Sequence, residues 1–342
     1  MLNSLACVVL AVLSARACAG GGEMYGLVLT HNSPSEVSLA QLDTKGGNWS
    51  LIGGQHSVLD GMGDLSAVDT KTQTFYYLGD TSGGTTLLGV SLKDGSEVCQ
   101  GVIPVAEKGY VGIAQSIDYD PTTDSLVISG LSPDKNASSG HSVYRTGGCT
   151  KDKKVEKLEF VGQFGDASWV PMLHASALDS TGQRLFVTLA TAQSTFAIGV
   201  IDLQNKGDMI VIAEDSSNHM MYGMHYDPER KNLIGVVQNA AGGLDLKTLA
   251  VEGAKPTWQT STLPPQDYEW LYGNMGTVSA INQKCGFLYV LAGKNPNKLG
   301  DPPLPAMHLV EIDVRHSKVT ATPAVAKLPL GTNTILEMNF VQ

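Results

Sequence analysis

Short apolar runs separated by turn residues fill most of the chain from residue 25 onward, and no stretch carries the three-to-four-residue apolar spacing of an amphipathic helix. One arrangement recurs: an apolar strand ends at Asp or Asn, a turn follows, and a β-branched or aromatic strand begins. The copies are Ser66–Asp69 before Thr74–Gly79, Ser116–Pro121 before Ser125–Gly130, Ser176–Asp179 before Arg184–Leu189, Met224–Pro228 before Asn232–Val237, and Ser279–Asn282 before Phe287–Leu291. Asp and Asn suit such turns because their side chains bond the backbone two residues on. Each copy leads into two further strand-like runs, as in Leu87–Leu92, the Asp94-Gly95 hairpin and Glu97–Cys99. Four antiparallel strands repeating about every 50 residues are the pattern of a propeller blade.

The two ends of the chain complete the count. Tyr25–Leu29, Val37–Asp43 and Trp49–Ile52 read as the second, third and fourth strands of a blade, and Ile335–Val341 reads as its missing first strand. The expected fold is therefore all-β, a six-bladed β-propeller of four-stranded antiparallel blades closed by pairing of the C-terminal strand with the N-terminal blade. Seven blades is the alternative, with 134–164 as the only stretch that could supply another unit. The copies, above all Ala177–Thr188, resemble blades of the broad propeller superfamily. That superfamily includes the YVTN, NHL and YWTD propellers and the regucalcin-like and strictosidine-synthase-like enzymes. The resemblance spans roughly residues 24–342 and implies a fold, not an activity. No copy carries Tyr-Trp-Thr-Asp.

Composition agrees with many short strands. Of 342 residues, 42% are hydrophobic and 16% charged, and the 38 glycines supply the positive φ that hairpins need. Twenty-three Lys and Arg against 33 Asp and Glu give a net charge of −10, which leaves no basic footprint for nucleic acid or an anionic membrane. Residues 1–19 read as a signal peptide: Leu5–Leu13 is apolar but too short to span a bilayer, and small-x-small sites follow at Ala15–Ala17 and Ala17–Ala19. Residues 20–342 then form one secreted domain, expected to be a monomer. Asn48-Trp49-Ser50 and Asn136-Ala137-Ser138 fit the glycosylation pattern of a glycoprotein. Three cysteines remain after cleavage. They are read either as a Cys99–Cys149 bridge with Cys285 a buried thiol, or as three small buried hydrophobes.

Candidate chemistry gathers in the loops that lead into the innermost strands, which converge on one face of a propeller. Around the ring they hold His56 and Asp64, then Tyr110, then Trp169 and His174, then Asp215, His219 and Tyr222, then Glu269 and Trp270. Aromatic side chains with a few acids suit a binding surface. The histidines His174, His219 and His56, joined by Asp64 or Glu269, could instead hold a divalent metal in the central channel, with ligands drawn from several blades. His225 falls inside an inner strand and reads as packed or channel-facing. No nucleophile elbow, phosphate loop or dinucleotide fingerprint is present. Two functions follow: a secreted recognition module for a protein, glycan or small ligand, or a metal- or His/Asp-dependent hydrolase, lactonase-like enzyme or lyase.

Overall fold

The computed structural model describes residues 23–32, 35–57, 65–81, 84–103, 116–131, 142–148, 152, 154–156, 158–164, 169–191, 195–215, 221–253, 255–265, 269–270, 279–294, 306–324 and 335–341. Among these there is no helix. The 25 strands form six sheets arranged as blades of a closed ring. The chain begins with β1 (Glu23–Asn32), β2 (Ser35–Leu42) and β3 (Trp49–Ser57), three of the four strands of blade 6. Blade 1 is β4 (Leu65–Asp69), β5 (Thr74–Thr81), β6 (Gly84–Ser91) and β7 (Glu97–Val102); blade 2 is β8 (Ser116–Asp120), β9 (Ser125–Leu131), β10 (Ser142–Thr146) and β11 (Glu159–Gln163). Blade 3 is β12 (Val170–Asp179), β13 (Arg184–Ala190), β14 (Phe196–Asp202) and β15 (Ile210–Asp215). Blade 4 is β16 (Tyr222–Asp227), β17 (Asn232–Gln238), β18 (Leu244–Ala250) and β19 (Thr257–Thr262).

In blade 5 the inner strand is split into β20 (Glu269–Trp270) and β21 (Ser279–Asn282), both paired with β22 (Phe287–Lys294), which is followed by β23 (Ala306–Asp313) and β24 (Lys318–Ala321). The last strand, β25 (Ile335–Val341), pairs antiparallel with β1, from Glu23 opposite Val341 to Val28 opposite Ile335. It is the inner strand of blade 6. The inner strands β4, β8, β12, β16, β21 and β25 each border the next around the axis, and β25 returns to β4. Six blades replace the alternative of seven, because β10 and β11 use the 134–164 stretch as the outer half of blade 2.

The recurring Asp or Asn explains why each inner strand stops where it does. Its side-chain Oδ1 accepts backbone N–H groups of the turn: Lys71 at 2.8 Å for Asp69, Thr122 at 3.0 Å for Asp120, Gly182 at 2.9 Å for Asp179, Glu229 at 2.9 Å for Asp227 and Cys285 at 3.1 Å for Asn282. The fourth residue onward then takes positive φ to reverse the chain: 57° at Gln73, 54° at Asp124, 52° at Gln183, 57° at Lys231 and 71° at Gly286. The same device turns the outer hairpins after Asp43, Asp202 and Asp313.

The core is not one mass but six layers, one at each junction between blades. Met24, Ala40 and Trp49 of blade 6 meet Ala280, Tyr289 and Leu309 of blade 5, and Leu27 and Leu39 on the other face of blade 6 meet Phe75 and Leu88 of blade 1. Equivalent layers join blades 1 and 2, 2 and 3, 3 and 4, and 4 and 5. Polar ties cross the same junctions. Gln183 in blade 3 donates to Asp120 of blade 2 at 2.8 Å and accepts from Arg145 at 2.8 Å, and buried Lys247 of blade 4 pairs with Asp215 of blade 3 while lying 4.6 Å from the Trp258 ring.

Cys99, fully buried between blades 1 and 2, is in a disulfide, and Cys285 is a buried thiol. Cys149 lies outside the described residues, but its neighbour Gly148 sits against the hydroxyl of Tyr76, which shares a core layer with Cys99. Asn48 is exposed in the turn between β2 and β3; Asn136 and residues 1–22 lie outside the described residues.

Two predictions follow from the turns and the buried sulfur. Lys231→Gly, which gives a left-handed position its preferred residue, is expected to hold or raise stability by up to about 1 kcal/mol, whereas Gly286→Ala at the equivalent position should cost about 1–2 kcal/mol. The alanine would also set its Cβ 2.7 Å from Arg315 Nε. Denaturant unfolding of both variants measures the difference, and equal effects would refute the role given to φ. Non-reducing peptide mapping is expected to recover a Cys99–Cys149 peptide; Cys99 joined to any other cysteine would overturn that pairing.

Candidate functional site

The sequence candidates separate into three groups. Asp64, Tyr110 and His219 lie outside the described residues. His174, Tyr222, Glu269 and Trp270 are placed by their backbone on inner strands: His174 within β12, Tyr222 opposite Val236 at the start of β16, and Glu269 and Trp270 opposite Gly293 and Ala292 in β20. The third group does other work. Trp169 is half-buried against the apolar layer between blades 2 and 3. His56 is on the outermost strand of blade 6, its Nε2 2.8 Å from the Gly95 carbonyl oxygen of blade 1, so it does not join an inner-ring metal set. Asp215 likewise closes an outer strand, in its ion pair with Lys247. Among the described residues no group of three or more His, Cys, Asp or Glu is arranged to hold a metal ion.

The inner strands of four consecutive blades leave regular pairing at a similar depth. In β12 the ladder jumps from Pro171 opposite Leu189 to Ser176 opposite Val187; in β16 it shifts between Tyr222 and His225; in blade 5 it breaks between Trp270 opposite Ala292 and Ser279 opposite Val290; and in β25 it shifts between Ile335 opposite Val28 and Glu337 opposite Leu27. In β4 and β8 the pairing is regular over the described residues, which start at Leu65 and Ser116. In β12, residues 172–175 leave the ladder and include His174, while Tyr222 and Trp270 are paired residues bordering the interruptions in β16 and blade 5. Bulges of this kind gather beside binding and active sites because they re-aim side chains.

At the other end of the inner strands, where the turns begin, the structure holds a cavity of about 410 Å³ on the channel axis. Five inner strands wall it. Val68, Ala177, Leu178, Met224, Ala280 and Ile281 contribute apolar side chains, Thr70, Ser180 and Gln283 stand where the turns start, and polar atoms make up the greater part of the exposed lining. Beside the phenols Tyr119 and Tyr226, an acid and a base also line it, Asp118 of β8 and His225 of β16. Counting back from the turn Asp or Asn, both occupy the position that Ala67, Ala177 and Ala280 fill in the other copies.

Each of the two is tied to the neighbouring blade by one serine. Ser176 Oγ donates to Asp118 Oδ2 at 3.0 Å, and His225 Nε2 lies 2.9 Å from Ser279 Oγ. Asp118 keeps some accessible surface, but it faces the channel, not the outside, so its carboxylate is poorly hydrated. Burial pushes it up to about 6, against a downward pull from the Ser176 hydrogen bond. Burial pushes His225 down to about 4, which keeps the imidazole neutral at neutral pH. Raised acids and lowered bases in a concave site mark functional candidates. Asp118 went unrecognised in the sequence because it sits inside the turn motif; the signal was an acid where aligned copies have alanine.

No family model matches the chain, and no curated protein matches it. Solved structures do. A protein assigned as TolB from Agrobacterium tumefaciens superposes with a TM-score of 0.53 at 10% identity over 88% of each chain. A functionally unknown protein from Desulfotomaculum acetoxidans DSM 771 gives 0.53 at 13% identity, covering 93% of this chain and 88% of that one. Regucalcin, a calcium-binding protein from Agrobacterium tumefaciens strain C58, gives 0.45 at 10% identity over 78% of this chain and 76% of its own. Likenesses at such identity concern the fold alone: the chain is a six-bladed β-propeller with structural neighbours of varied function.

Proposed function

We propose that the chain is a secreted recognition module that takes a small ligand into its central channel. The observation that carries this is the cavity of about 410 Å³ walled by five inner strands, with the acid Asp118 and the base His225 facing into it. Its volume falls in the range of small-molecule sites, and its lining sets apolar side chains beside polar groups that could fix a ligand's orientation. The interrupted inner strands that bear His174, Tyr222 and Trp270 support a second recognition surface at the opposite end, for a protein or glycan. Secretion is supported by the leader-like residues 1–19 and by the disulfide at Cys99, since disulfides persist in oxidising compartments.

A second reading rests on one specific observation. A carboxyl group that titrates at about 6 is poised to take and return protons near neutral pH, so Asp118 suits a general base in a hydrolase or lactonase-like enzyme. His225 would then orient substrate through its imidazole without carrying charge. Hydrolysis of a simple lactone such as dihydrocoumarin tests this: turnover abolished by Asp118→Asn with the fold intact supports the enzyme, and absence of turnover in the wild type removes it.

For the recognition module, crystals soaked with a small-fragment library are expected to show density in the cavity beside Asp118. Ser180→Trp, placed where the turn meets the channel, should weaken cavity binders at least about tenfold in a thermal-shift titration by obstructing the cavity. Fragments bound only elsewhere, or affinities unchanged by Ser180→Trp, would overturn the channel as the ligand site.

A further inference from the structure

We propose that the cavity selects an organic ammonium ion, a protonated amine on a small apolar body, with the Asp118 carboxylate as its counter-ion. This rests on the reading of the channel as a ligand site and adds the chemistry of the ligand.

Charge is the first argument. Asp118 is the one described lining residue that carries formal charge at neutral pH, because no Lys or Arg lines the cavity and burial holds His225 neutral. The other titratable lining groups are phenols, and both turn away: the Tyr119 hydroxyl donates to Asp124 at 2.7 Å, and the Tyr226 ring stacks on Phe186 with its hydroxyl toward Asp179. The remaining contributions from β4, β12 and β21 are Val68, Ala177, Leu178, Ala280 and Ile281, none of which titrates. The described wall thus carries a single negative charge among apolar side chains and the neutral polar groups of Thr70, Ser180, His225 and Gln283.

Hydrogen bonding is the second. An ionised carboxylate taken out of water requires partners for both oxygens, and an unmet one is costly. Oδ2 of Asp118 accepts from Ser176, whereas Oδ1 makes no hydrogen bond to a described residue and is open to the channel, where a ligand can reach it. An ammonium group would supply both the missing donor and the opposite charge, in a charge-assisted hydrogen bond of the stronger kind. A hard metal ion fits less well, since calcium takes six to eight oxygen ligands, whereas one carboxylate faces this cavity. The methyl and methylene groups of the wall suit the apolar body that a small amine carries and a hydrated ion lacks.

Calorimetric titration with four probes tests this: phenethylamine hydrochloride, 2-phenylethanol, phenylacetate and calcium chloride, each near pH 7.5 and near pH 5. Phenethylamine is expected to bind and the other three not. Its affinity should fall about tenfold between the two pH values, because Asp118 takes up a proton as pH drops through about 6 and loses the charge that holds the amine. Asp118→Asn, which keeps an acceptor for Ser176, should abolish both the binding and its pH dependence. Ser176→Ala removes the hydrogen bond that holds the Asp118 pKa down, so it should move the loss of affinity to higher pH while leaving some binding near pH 7.5. This second variant keeps the test decisive if the first does not fold. Binding of the alcohol, phenylacetate or calcium in preference to the amine would overturn the ammonium proposal and leave the channel as a ligand site. If none of the four binds and no fragment occupies the cavity, both readings fall.

Discussion

Closure of the ring by β25 against β1 is the constraint on which the rest depends. A propeller blade buries its two faces only against neighbours, so an open string of six would leave two faces and their layers unmet. The antiparallel pairing of Ile335–Val341 with β1 makes blade 6 from both ends of the chain, and thereby forms the layer against blade 5 and the layer against blade 1 together. Among the described residues each of the six layers holds nine to eleven buried apolar side chains, so the joints that close the ring match the others in substance. Their stability is collective: removing the last strand would disturb two layers at once.

The polar residues of the repeat serve this closure by regularity. The turn Asp or Asn fixes where each inner strand ends, and the left-handed residue four places on fixes the direction in which the next strand returns. Blade junctions are then pinned at the periphery by ties such as Gln183 with Asp120 and Arg145, and Lys247 with Asp215. Several of these groups are buried, so their value lies in register more than in net energy, because the gain from a buried pair is spent largely on desolvation. A ring held in this way leaves its axis free of packing duty. Side chains facing the channel are under weaker constraint than those between blades.

That freedom is where function can reside. At the turn end of the axis, alanine occupies the aligned position in three of the described copies, and Asp118 and His225 replace it in the other two. Each introduces an ionisable group where hydration is poor, and each is supported by a serine of the next blade. Nothing in blade packing calls for this. At the far end, blades 3, 4, 5 and 6 share interrupted inner strands, three of which bear His174, Tyr222 and Trp270, while β4 and β8 are regular over their described residues. Two features of the axis therefore depart from the repeat, one chemical and one geometric.

The repeat itself was legible from the sequence. Asp69, Asp120, Asp179, Asp227 and Asn282, each between an apolar and a β-branched or aromatic run, marked five inner strands, and the unmatched runs at the two ends required the sixth to be shared. These are local signals: a turn Asp bonds residues two or three positions away, and strand alternation acts along one segment. Site residues were less legible because their roles depend on distance from the axis. His56 and Asp215 looked like members of an inner ring but stand on outer strands, and Trp169 packs between blades. Asp118 looked like part of a turn and faces the channel. Sequence alone determined which segments become strands and where they turn, because those choices are made by neighbours in the chain. Only the tertiary structure decided which polar groups lose their water and face one another across the axis, because desolvation is set by blades far apart in sequence.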